Sequence, residues 1–152
     1  MIRAPHIYSE WARVFDTLEK GTDDAGYLQA IELGTIEWTS GVAERFFKRA
    51  MKALNTRYNQ AQDRFMKNQE RAWSEGELIQ NLLFLRREFQ FLKDAANIPA
   101  IPDKYRDALV QNVVDLANQT QKSLEDSSGS LGGLGHGRLD SVIRNHKVNQ
   151  LR

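Results

Sequence analysis

Arg57, Arg64 and Arg71 recur every seven residues in this 152-residue chain. A guanidinium stays charged at any working pH and presents a planar fork of donors. Its chemistry is recognition of carboxylates and phosphates rather than proton transfer. At a seven-residue spacing the three share one edge of a helical seam, and in a coiled coil that edge carries the charges that select partner and register. Their mates are expected on the fourth helix or on another subunit. Trp73 follows two residues later, beside a predicted turn. An aromatic there either closes the end of a bundle or acts as a binding hot spot.

Two further basic groups compete for attention. Arg45, Lys48, Arg49 and Lys52 cluster at the other end of the same segment. They are ordinary solvated helix surface or contacts to a nucleic-acid backbone; no recognition helix in a readable frame accompanies them. At the C-terminal end, Arg138, Arg144, His146 and Lys147 border a short apolar stripe of Leu139, Val142 and Ile143. A short basic amphipathic segment of this kind folds when it finds a groove, or is simply a disordered or loosely docked end.

Catalytic constellations are missing by comparison. His6, His136 and His146 are the three histidines, and none forms a Glu-x-x-His or His-x-x-x-His pair of the kind that places metal ligands on one helical face. No phosphate-cradling glycine loop and no Gly-x-Ser-x-Gly elbow occurs. The absence of cysteine excludes disulfides, thiolate zinc sites and a cysteine nucleophile. The chain is therefore expected to be non-enzymatic, with no cofactor and no metal.

These residues need helices to position them, and the apolar pattern supplies helices. Phe47, Met51, Leu54, Tyr58, Ala61 and Phe65 form one ladder with heptad spacing, and Leu78, Leu82, Leu85, Phe89, Leu92 and Ala96 form another. Between them Trp73-Ser74-Glu75-Gly76-Glu77 breaks the phase. Continuing the first ladder would bring Arg86 and Lys93 into the seam. The slip, the glycine and a Ser74/Glu77 capping box favour a hairpin over one continuous rod. The expected fold is all-α: a helical bundle built on a long antiparallel helical hairpin with coiled-coil character.

Its parts follow in order. Small N-terminal helices occupy 1–37: one starting near Pro5 or Ser9, with Pro5 in the first turn in the former case, and ending before Gly21; and one with Thr22 as N-cap, Asp23 and Asp24 in its first turn, ending near Gly34. The hairpin spans 39–97. Ile98-Pro99-Ala100-Ile101-Pro102 makes a rigid turn, and Asp103 caps a third long helix over 103–126. Residues 1–126 are thus the bundle, the Gly/Ser-rich stretch 127–137 a linker, and 138–152 the basic amphipathic tail.

Charge is balanced overall at +1 but laid out in blocks. Residues 1–37 carry three basic and seven acidic side chains, whereas 38–74 carry eight basic and three acidic. Such blocks pair within a bundle or dimer, or leave a basic face for an acidic partner. The N-terminus lacks the apolar run of a signal peptide, and no stretch approaches the ~20 apolar residues of a membrane span. The sequence points to a cytoplasmic interaction protein: an adaptor, assembly factor or inhibitor using its bundle surface and tail. The expected partner is a protein, with self-association through the heptad seams as one form of it, and no membrane. A nucleic-acid-associated helical protein using the 45–71 face and the tail is the alternative.

Overall fold

Glycines, prolines and short polar caps cut the chain into helices. A computed structural model describes residues 2–71, 74–127 and 136–152, with side chains from 139 onward in the last stretch. The described residues form an all-α protein: α1 (Tyr8–Lys20), α2 (Asp24–Leu33), α3 (Ser40–Glu70), α4 (Glu75–Ala96), α5 (Asp103–Asp126) and α6 (His136–Asn145). They divide into two compact units. The first is Met1–Tyr58 with Leu92–Val113, and the second is Asn59–Phe91 with Val114–Arg152. None of the helices among the described residues is long and apolar enough to cross a membrane.

In the first unit, α1 stops at Gly21, whose φ of 66° lies in the left-handed region open to glycine without strain. At its other end the Glu10 carboxylate accepts the His6 and Ile7 amides at 3.0 and 3.3 Å. The His6 amide bond, foremost, holds the Glu10 carboxyl below its ordinary pKa. Pro5 stands ahead of the helix rather than in its first turn, because the extended Ile7 is the cap; the Pro5 carbonyl instead accepts the Thr35 amide at 2.8 Å. Asp23, not Thr22, caps α2 by accepting the Gly26 amide at 2.9 Å.

The core of this unit is aromatic. Trp11 and Phe15 meet Phe46 edge-on at 5.2 and 5.4 Å, and Trp38 meets it at 5.5 Å. Each such pair contributes about 0.5–1.5 kcal/mol beyond its buried area. The Trp11 indole N–H donates to the Thr35 carbonyl at 2.8 Å. Gly34 admits that ring: a Cβ there would come within 2.7 Å of it. The fully buried Tyr27 donates its hydroxyl to the Ala95 carbonyl at 2.8 Å, and burial pushes its pKa far up. After the Ile98–Pro102 turn, the Pro102 carbonyl accepts the Tyr105 and Arg106 amides, so Asp103 sits inside the first turn of α5 and pairs with Arg106 rather than capping the helix.

The two apolar ladders fare differently. Every member of the second is buried, from Leu78 to Ala96. In the first, Leu54, Ala61 and Phe65 are buried, while Phe47, Met51 and Tyr58 are half-buried. The stripe that α3 does bury runs through Phe46, Ala50, Ala53, Arg57, Ala61, Phe65 and Gln69. From Ala53 onward it advances in steps of four. A step of four carries a stripe about 40° around the helix, whereas alternating steps of three and four hold it nearly in place. The drift turns Arg57 inward, against the expectation that it lies on an exposed seam edge.

The second unit closes around the C-terminal segment. Leu139, Val142 and Ile143 of α6 are buried, as is Val148 beyond it. The buried Gln121 amide of α5 holds both sides of the turn after α6, donating to the Ile143 carbonyl at 3.4 Å and accepting the Val148 amide at 3.0 Å. From α4, Arg86 donates to the Lys147 carbonyl at 2.7 Å and Gln90 accepts the Arg152 amide at 2.7 Å. The apolar face read from sequence as a partner-seeking tail is thus occupied by its own unit. Most of the Gly/Ser-rich stretch, 128–135, lies outside the described residues.

Candidate functional site

Three residues at the same helical spacing on each side of the 71–74 break define a surface feature of the second unit. On α3 and just past its end these are Arg64, Asn68 and Arg71; on α4 they are Gln80, Phe84 and Arg87. Both sets step by four and then three, which keeps each on one helical face. Together they line an open groove of about 780 Å³.

Its floor is built from amides. Asn81 is buried and donates to the Phe65 carbonyl at 3.0 Å and to Gln69 Oε1 at 3.2 Å, while its own Oδ1 accepts from Asn68 at 3.4 Å. With its hydrogen-bonding capacity used in this way, Asn81 is scaffold. At the groove's end Ser74 opens α4: its hydroxyl accepts the Glu77 amide at 3.2 Å and bonds the Glu77 carboxylate at 3.1 Å. The capping partners expected from sequence therefore meet.

The walls are cationic. Arg64, Arg71 and Arg87 are exposed, and among the described residues none of them forms an ion pair. Arg64 rests its guanidinium over the Phe84 ring, 5.0 Å from the centroid. That contact fixes a long side chain without neutralising it. Glu77 is the acid among the lining residues, so the groove carries three positive charges against one negative.

The structure thus brings together Arg64 and Arg71 of the expected partner-binding set and removes Arg57 from it. Arg57 is buried, makes a two-pronged pair with Asp24 at 2.9 and 2.8 Å, and donates to the Leu18 carbonyl at 3.1 Å. Asp24, its two-pronged partner, lies on α2. Trp73 and the Arg138 side chain lie outside the described residues. Arg144 is exposed and pairs with Asp140 at 2.9 Å and Glu125 at 3.9 Å. The His146 ring nitrogen meets the Val142 carbonyl at 2.9 Å, and Lys147 is half-buried with its carbonyl taken by Arg86. These tail residues do not line the groove.

The basic cluster at 45–52 is largely spent. Arg49 pairs with Asp16 and with Glu19, the latter at 2.8 Å; Lys48 pairs with Glu44 at 3.0 Å; and Arg45 stacks on Tyr8, 4.2 Å from the ring centroid. Lys52 is exposed. The charge blocks of the sequence accordingly meet in part within the chain: Asp16, Glu19 and Asp24 from the acidic block answer Arg49 and Arg57 from the basic one.

Sequence reasoning missed Arg87 and Phe84 as members of the site. Their signal was the 80-84-87 spacing, which repeats that of 64-68-71. Phe84 is half-buried. Among the described residues no group of three or more His, Asp or Glu side chains is placed to hold a metal ion. No protein family, curated protein or solved structure matches this chain.

Proposed function

We propose that this chain is a non-enzymatic interaction protein whose partner docks on the arginine groove of the second unit. The observation that carries the reading is the contrast in charge use: Arg49 and Arg57 are satisfied internally, whereas Arg64, Arg71 and Arg87 converge on one concave surface without ion partners. Arginine enriched at an open concavity beside an aromatic is the composition of a recognition hot spot. The role is that of an adaptor, assembly factor or inhibitor, in which binding itself is the activity.

The groove rests on an antiparallel hairpin of α3 and α4. Residue pairings support it: Arg64 meets Phe84, while Gln69 further along α3 meets Asn81 earlier on α4. Numbers that rise on one helix as they fall on the other are the mark of antiparallel neighbours. The coiled-coil reading is supported by the second ladder, whose members are all buried.

The test is site-specific photo-crosslinking of the full chain in cells that express it. A photoreactive residue at position 71 or 87 is expected to trap one discrete protein, and the same residue at exposed Lys122 is not. A second copy of the chain as the trapped species would identify the interaction as self-association. Equal, diffuse labelling at 71, 87 and 122 would overturn the proposal.

A further inference from the structure

We infer that the groove recognises an acidic protein segment, in the form of a helix that presents carboxylates seven residues apart. This inference rests on the interaction reading above and adds the chemistry of the partner. Charge complementarity is the first argument: three arginines oppose Glu77 alone among the lining residues, and Glu77 is already bonded to the Ser74 hydroxyl. A guanidinium fork matches a carboxylate in two-pronged geometry, so each arginine offers a directed contact rather than diffuse charge.

Spacing is the second argument. Arg64 and Arg71 are seven residues apart, about 10.5 Å along a helical rise of ~1.5 Å per residue. Carboxylates seven apart on a partner helix repeat at the same interval, so two contacts form in register. Arg87, from α4, stands on the opposite wall and adds a third contact from the other side. The volume of about 780 Å³ exceeds what a lone inorganic anion fills and suits several side chains entering together.

A nucleic acid fits less well. Single-stranded nucleic acids need open aromatic faces for base stacking and a continuous basic track for phosphates. Here one face of Phe84 is covered by the Arg64 guanidinium. In the other basic cluster of α3, Arg49 is paired with Asp16 and Glu19, and Lys48 with Glu44.

Fluorescence anisotropy on the full chain tests this with three labelled probes. The first is a helix-forming peptide with Glu every seven residues and a single Leu. The second carries Gln at the same positions, and the third is a fifteen-nucleotide oligothymidine. The Glu peptide is expected to bind at least about tenfold tighter than the Gln peptide. Its affinity is expected to fall at least about tenfold in the double variant Arg71→Glu/Arg87→Glu, with circular dichroism unchanged. Arg71→Lys/Arg87→Lys, which keeps charge but loses the fork, is expected to retain only part of the affinity. Equal binding of Glu and Gln peptides, or indifference to the double charge reversal, would sink the acidic-partner assignment. Tighter binding of the oligothymidine than of the Glu peptide, lost in the same variant, would replace it with nucleic acid. A discrete crosslink at 71 or 87 alongside a failed Glu peptide would leave the interaction reading standing and remove only the partner chemistry.

Discussion

Arg57 and Arg64 occupy equivalent heptad positions on α3, two helical turns apart, yet one is inside and the other outside. Arg57 is 10% exposed and joined to Asp24 and the Leu18 carbonyl, whereas Arg64 is exposed and lies over the face of Phe84. The two units use polar chemistry in opposite ways. The first buries a charge and pairs it. The second buries amides, Gln69, Asn81 and Gln121, and leaves its arginines on the surface. A buried arginine is bound to the acids around it and cannot serve a partner. An exposed one contributes little to stability and is free for recognition. Heptad position alone does not decide between these fates; the direction in which the buried stripe drifts does.

The largest expected effect breaks the comparison at Arg57. Arg57→Ala removes a two-pronged pair and the donor to Leu18, leaving Asp24 without its cation. Complete loss of a well-buried pair costs ~3–5 kcal/mol. Asp24 is 40% exposed and is partly rescued by water, so about 2–3 kcal/mol is expected. Urea unfolding checks the value, and a double-mutant cycle with Asp24→Asn is expected to show strong coupling. If Arg57→Ala cost no more than Arg64→Ala, the two arginines would be alike and the contrast would fail.

Gln121 gives the corresponding break in the second unit. Gln121→Leu conserves bulk but strands the Ile143 carbonyl and the Val148 amide, at about 1–3 kcal/mol. Hydrogen exchange at the amides of 142–148 is the discriminating measurement, since these groups lose their latch first. Unchanged protection there would mean that the C-terminal segment is held by its apolar contacts alone, through Leu139, Ile143 and Val148.

Tyr27 sharpens the comparison because it is an uncharged polar anchor of the first unit. Tyr27→Phe removes the hydroxyl bond to the Ala95 carbonyl, and about 1–2 kcal/mol is expected at neutral pH. The pH dependence has a definite sign. Burial raises the folded-state pKa, so the folded protein keeps the Tyr27 proton where the unfolded chain gives it up. This contribution is intact below the unfolded pKa of ~10 and is lost as pH climbs above it, at ~1.4 kcal/mol per pH unit. Wild-type stability should therefore fall more steeply above pH ~10 than that of Tyr27→Phe. Parallel curves would remove Tyr27 from the account.

Much of this was legible in the sequence because it depends on local signals. Gly21 and the Pro99–Pro102 turn fix helix boundaries through backbone geometry, and the Leu78–Ala96 ladder is buried at every expected rung. What failed depends on which surfaces meet. The Arg57 assignment required knowing that α3 drifts through steps of four, which follows from the neighbours that cover it. The two readings of the tail could not be separated in sequence, because Leu139, Val142 and Ile143 look the same whether their groove is in another protein or in this one. The groove was half seen: Arg64 and Arg71 were recognised on one helix, but Arg87 and Phe84 join them only when α4 is laid alongside.

The smallest expected stability effect carries the most functional information. Arg64→Ala, Arg71→Ala and Arg87→Ala should each change stability by less than about 0.5 kcal/mol, because exposed charges without ion partners lose little on truncation. Of the three, Arg64→Ala should cost the most, since it also uncovers Phe84. Thermal melts of the three variants against Arg57→Ala provide the check. A stability cost near that of Arg57→Ala would mean that these side chains hold the fold together, and their clustering would need no partner to explain it. Near-neutral values would mean that three arginines converge on one concavity without serving the fold, which is the pattern expected of residues kept for binding.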